Sequence, residues 1–225
     1  MDQEKKRFVD LSHMHGEGIV CEPYIDWYQV EWLEKAGVDG GQADLEVRRY
    51  CPHTGTHMDA PYHALADGIT LEQVDPLVLC GPAVVVQLAV PEYWHGITRE
   101  ELQDWEKDHG EIRPGDAVLL FTGHAGKWER GYEEFIGKGY PYLDSDAAHY
   151  LAEKKIRLLG TESISVENVA KTGMESHRIL LGNGVIIVEN ICRLEQIGAD
   201  RCRIFGTFPA VRGASGTWVR LLALV

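Results

Sequence analysis

The chain has 225 residues, with 22 basic and 35 acidic side chains and a net charge of −13 when histidine is neutral. That balance argues against a nucleic-acid or anionic-membrane partner, and a hydrophobic content of 44% excludes global disorder. The length suits one large domain or two small ones and buries roughly 70% of the unfolded surface without staples.

The five cysteines (Cys21, Cys51, Cys80, Cys192 and Cys202) are scattered and form no C-x-x-C pair. This predicts a reducing, cytoplasmic setting and no disulfide framework. No run reaches the length of a membrane helix, and MDQEKKRFVD lacks the apolar centre of a signal peptide. The ten histidines are the informative excess.

In chain order, residues 16–43 are poorly patterned but hold Trp27, Tyr28 and Trp32. They read as a lid or interface arm, or as a surface helix around 26–36. Residues 44–51 alternate in part and predict a strand. The β-branched run AVVVQLAV at 83–90 predicts a strand buried on both faces. Thr98 and Glu101 form a T-x-x-E capping box, which opens a helix over 99–109. A strand at 117–123, a helix at 146–155 opened by Asp144 or Ser145, and a strand at 156–161 suggest a crossover unit. VIIVE at 185–189 and TWVRLLALV at 217–225 add two strands. Strands outnumber helices in mixed order. The predicted architecture is a single domain over 1–225, α/β or α+β, with mixed sheet and flanking helices.

The strongest local signal is His53-Thr-Gly-Thr-His57-Met-Asp59-Ala-Pro-Tyr-His63. Pro52, Gly55 and Pro61 oppose a helix, so the i, i+4 histidines are not a helical pair. In an extended chain all four candidate ligands face one side, until Pro61 turns the chain before His63. Gly55 would leave room for an ion or for close backbone approach. Imidazoles with one carboxylate suit a borderline divalent ion, and an incomplete shell leaves positions for water and substrate.

The string H-x-G-T-H-x-D-x-P-x-H resembles the signature of the cyclase-like metal hydrolases, a family that includes bacterial-type kynurenine formamidases and isatin hydrolases. The likeness extends to Asp10-Leu-Ser-His13, Leu120-Phe-Thr-Gly123, Gly160-Thr-Glu-Ser-Ile-Ser-Val166, the pair His177 and Glu189, and Gly213 to Arg220. It implies a swivelling β/β/α fold and a homodimer or higher homo-oligomer. It also implies a first metal on His53, His57 and Asp59, and a second on Asp59, His177 and Glu189. His63 would be the catalytic acid/base, and the ions, one or two per chain, would be zinc or manganese. Read by itself, Glu189 ends a β-branched strand, where a carboxylate is costly unless paired or metal-bound; His177 by itself reads as a surface residue. Kynurenine formamidases carry an aromatic-proline-glycine-aspartate stretch after the opening strand. This chain has GEGIVCEPYIDWYQVEWLEKAGVDGG there, so Tyr24, Trp27 or Trp32 is left to supply the pocket aromatic.

Other candidates are weaker. His13 and His15 share a side of an extended chain but read as solvated, and His95, His109, His124 and His149 read as surface residues. Ser163 and Ser165 lie outside a G-x-S-x-G elbow. GASG at 213–216 lacks a P-loop lysine and reads as a tight turn, while Arg212 and Arg220 suit ordinary ion pairs. The expected activity is metal-dependent hydrolysis of a small amide-type C–N bond in an aryl formamide or lactam. The alternatives are cyclisation, lactone opening or dehydration at the same site, or metal binding without catalysis.

Overall fold

The computed structural model describes residues 6–25, 28–90 and 93–225. A nine-stranded sheet carries the architecture. Its members are β1 (Phe8–Asp10), β4 (His57–Asp59), β5 (Gly81–Gln87), β7 (Ala117–Phe121), β9 (Leu158–Thr161), β10 (Ile186–Glu189), β11 (Arg201–Thr207), β12 (Gly216–Trp218) and β13 (Arg220–Leu224). Their order is β1-β13-β11-β5-β7-β9-β10-β4-β12. Four central strands, β5, β7, β9 and β10, run parallel, and antiparallel strands extend both edges. The predicted α/β class with a mixed sheet is what the chain adopts.

The parallel strands read as continuous apolar runs because both of their faces are covered. Alternate residues feed two cores. Ala83, Val85, Leu119, Leu158 and Val188 join the first, with Met58, Ile204 and Leu221. Val84, Val86, Val118, Leu120, Leu159 and Ile187 join the second. Helices α1 (Arg99–His109), α2 (Ser145–Glu153) and α4 (Glu175–Gly182) cover the second face through Leu102, Trp105, Leu151 and Leu180; a short turn of helix, α3 (Val169–Thr172), precedes α4. The capping box at Thr98 and Glu101 forms as the sequence predicts. Helix α2 starts after Asp144 and links the parallel pair β7 and β9.

Several elements differ from expectation. The segment 217–225 divides at Val219 into β12, which pairs with β4, and β13, which pairs with β11. Strand β11 and helix α4 carry too little periodicity to stand out in the sequence. The surface helix around 26–36 does not form: Gln29–Glu34 is a strand, β2, paired antiparallel with β3 (Leu45–Arg49) in a separate two-stranded sheet. Trp27 lies outside the described residues. A second small sheet pairs β6 (Gly96–Ile97) with β8 (Tyr142–Leu143). No described helix is long and apolar enough to cross a membrane.

Candidate metal centre and active-site cavity

The site forms where β4 meets β10. Glu189 stands opposite His57, and Ile187 stands opposite Asp59. Pleat alternation therefore sends His57 and Asp59 to one face and drops Met58 into the core beneath. The extended reading holds for these two residues alone. His53 reaches the site through a turn and His63 through a 3₁₀ turn beginning at Pro61, because residues 52–56 are turns and bends. Helix α4 brings His177 over the same face, 2% exposed, which corrects its surface reading.

Hydrogen bonds orient each imidazole. The Nδ1–H of His57 donates to the Gly55 carbonyl at 2.8 Å. The Nδ1–H of His177 donates to the Glu167 carboxylate at 2.8 Å. The Nε2–H of His53 donates to the Ser215 hydroxyl at 2.9 Å. The remaining nitrogen of each ring then carries a lone pair that faces carboxylate oxygen. His53 Nδ1 lies 2.8 Å from Asp59 Oδ1. His57 Nε2 lies 3.5 Å from Asp59 Oδ1 and 3.4 Å from Glu189 Oε2. His177 Nε2 lies 3.7 Å from Asp59 Oδ2 and 3.4 Å from Glu189 Oε1.

Acceptors facing acceptors at such distances need a proton or a cation between them. Asp59 is fully buried, and its Oδ2 and the His57 Nε2 are buried without a hydrogen-bond partner. Protons are strongly favoured here when nothing else is bound. Burial opposes charge on His177, yet the bonds to Glu167 and Glu189 and the nearby Asp59 raise it to about 10. His57 is raised in the same way, against burial, by Glu189 and Asp59. Asp59 goes down: burial opposes ionisation, but the His53 bond and the neighbouring imidazoles outweigh it.

The donor set fits a divalent cation. His53, His57 and Asp59 place one ligand atom each within 4.8 Å of one another, and so do Asp59, His63 and His177. Asp59 belongs to both groups, and Glu189 adjoins the second through His177. His63 stacks on His53 with centroids 4.0 Å apart and sits 5.6 Å from the His177 ring. Burial and the His53 and His177 charges lower His63, partly offset by Asp59 and Glu189.

Some of the surrounding residues are not evident in the sequence. Glu167, fully buried, accepts from His177, from the Ser176 amide at 2.7 Å and from the Thr172 hydroxyl at 3.1 Å. One carboxylate thereby caps α4 and fixes the His177 ring. The only trace of it in the sequence is an acid beside an apolar stretch. Ser215 comes from the GASG turn. At Gly216 a Cβ would meet the His53 ring and the Met58 carbonyl at 2.6 Å. Gly55 has φ +57°, and a Cβ there would strike the His15 ring at 2.5 Å, so its missing side chain admits His15 rather than an ion.

His13 and His15 are not solvated. His13 stacks on Trp128 and His15 packs on Trp218, and burial lowers each to about 4. His124 is likewise buried and donates to the Phe135 carbonyl at 2.8 Å. Arg220 pairs with Asp10 as an ordinary ion pair.

A cavity of about 370 Å³ opens onto this cluster. His53, His63, His177 and Glu189 line its inner end; Tyr24, Tyr140 and Ile164 supply much of the rest. Among the described residues of the unusual segment, Tyr24 lines this cavity and Trp32 does not; Trp32 lies on the β2–β3 hairpin.

The family model for Cyclase, described as "Putative cyclase", matches residues 9–168. A kynurenine formamidase of Bacillus cereus is 31% identical over 217 residues, covering 95% of both chains. The chain belongs to the Cyclase family. A kynurenine formamidase of Bacillus anthracis is 30% identical over 95% of each chain. Among solved structures, isatin hydrolase A from Ralstonia solanacearum superposes with a TM-score of 0.87 at 24% identity, over 98% of this chain and 92% of that one. The match to the family model covers His53, His57, Asp59, His63 and Glu167; His177 and Glu189 lie beyond it.

Proposed function

We propose that this Cyclase-family chain is a metal-dependent hydrolase of a small amide-type C–N bond, either an aryl formamide or a cyclic amide. One observation carries the reading: three imidazole lone pairs and two buried carboxylates converge where only a proton or cation satisfies them. The relatives named kynurenine formamidase support the choice of bond.

His53, His57 and Asp59 would hold one ion; Asp59, His177 and Glu189 would hold a second. An all-nitrogen-and-oxygen set suits zinc or manganese. A divalent ion held there polarises a carbonyl and lowers the pKa of a water toward ~7. The chain's own part is positioning and proton transfer. Burial lowers the His63 pKa, which favours the neutral imidazole that can accept a proton. It takes one from the attacking water and returns it to the leaving nitrogen as the C–N bond breaks. Formate and an arylamine leave in the first case, and a ring-opened amino acid in the second. The lining of Tyr24, Tyr140 and Ile164 suits a flat aromatic body.

We further propose that 1–225 form one domain that works in the cytoplasm as a homodimer or higher homo-oligomer, with 16–43 as part of an interface arm. The two-stranded β2–β3 sheet has exposed apolar residues, Trp32, Leu33 and Val47 among them, and an isolated hairpin is marginal in water.

The test is turnover of formanilide and isatin by zinc- and manganese-loaded protein, beside His63→Ala. The substitution is expected to cost about 10²–10⁴-fold in kcat with metal content unchanged. Near-wild-type hydrolysis by His63→Ala with metal retained would remove His63 from the mechanism.

A further inference from the structure

The cavity is chemically lopsided. Its inner end gathers the imidazoles and Glu189. Its lining also includes Glu22, from the segment that leads into the hairpin. Tyr140 lies within electrostatic reach of both acids: burial, then Glu189, then Glu22 raise its phenol well above the ordinary value. Glu22 accepts the Tyr132 hydroxyl at 3.3 Å and forms no ion pair among the described residues. No arginine or lysine is among the described lining residues.

We propose that Glu22 is a specificity-determining residue, by which the site selects aryl amides that carry a protonated amine on the side arm over those that carry a carboxylate. The inference rests on the amide-hydrolase reading and names its substrate class. A substrate carboxylate brought to this wall meets Glu22 with no cation to offset the repulsion, while an ammonium gains a charge-assisted hydrogen bond. An amino-acid side arm presents both charges and finds a partner for only one. The decarboxylated amine is therefore the better substrate of the two. Metal charge at the inner end would draw anions in, so it does not produce this order.

The experiment uses three formanilides with meta aminomethyl, methyl or carboxymethyl groups on the full-length metal-loaded chain, each rate divided by that compound's own alkaline hydrolysis rate to remove the inductive effect of the charged group. The expected kcat/KM falls in the order cationic, neutral, anionic, with about tenfold between the extremes at low salt and less at high salt. Glu22→Gln should flatten the series and Glu22→Lys should reverse it. Because the readout is a ratio within one protein, a partly destabilised variant still reports. Equal rates for cation and anion in the wild-type chain, or an unchanged order in Glu22→Lys, would overturn the proposal. Calorimetric binding of the same compounds ranks them without turnover. If none is hydrolysed, the amide reading fails, while charge selection still stands or falls on the order of binding.

Discussion

At the scale of single residues, the site depends on groups that touch no substrate. His177 can present Nε2 to Asp59 and Glu189 only because Glu167 holds the proton on Nδ1. Replacing Glu167 by Gln keeps an acceptor but removes the charge that makes the imidazole basic. Metal affinity, measured by competition with a chelator, is expected to fall about 10–100-fold. An unchanged affinity would reduce Glu167 to a helix cap. The motif residues were legible in the sequence because their ligand-bearing types cluster within eleven positions. Glu167 was not, since a lone acid ten residues before His177 has no pattern of its own. Three of the histidines read as solvated or superficial are instead packed on aromatic rings: His13 on Trp128 and His15 on Trp218, partners far along the chain, and His124 on Phe135.

At the scale of elements, the register of β4 against β10 decides whether ligands face the site or the core. A slip by one residue would turn His57 and Asp59 inward and Met58 outward. Three residues of strand hardly fix a register. Thr56 does much of that work: its hydroxyl donates to the Asn190 carbonyl at 2.6 Å and accepts from the His13 amide at 2.8 Å. Asn190 answers with a bond from its side chain to the Gly55 carbonyl at 3.0 Å. Thr56→Val keeps the shape and strands a buried carbonyl and amide. A loss of about 1–3 kcal/mol in urea unfolding is expected, with weaker metal binding. Stability within error of wild type would show that Met58 packing alone sets the register. The parallel strands were visible because burial on both faces makes them uniformly apolar. Strand β11 was hidden: beyond Arg201 and Arg203 its residues keep no polar–apolar alternation, only Ile204 is fully buried, and the strand is defined by its neighbours β5 and β13.

At the scale of the molecule, histidine burial couples folding to acidity. His124 is lowered from 6.5 to about 4 by burial, with the Phe135 bond opposing and Lys127 adding to the effect. Its folded form prefers to be neutral, so the unfolded chain binds the extra proton between those values. The stabilisation is complete above pH 6.5 and is lost as pH falls toward 4. His124→Gln should therefore show a smaller drop in urea midpoint between pH 7 and pH 5 than the wild-type chain. An equal drop in both would place the acid sensitivity elsewhere.

Sequence alone determined the acidic character, the strand–helix–strand core and the metal-ligand motif. Each is encoded locally, by composition, by a run of side chains facing one environment, or by ligand types at short spacing. Tertiary structure decided the rest. It brought His177 and Glu189 to Asp59 from positions more than a hundred residues away. It turned Gln29–Glu34 into half of a hairpin, and it placed Glu22 and Tyr24 at the cavity wall. Pairing between distant strands and packing between distant side chains leave no periodicity in the chain, because each depends on a partner that sequence spacing does not name.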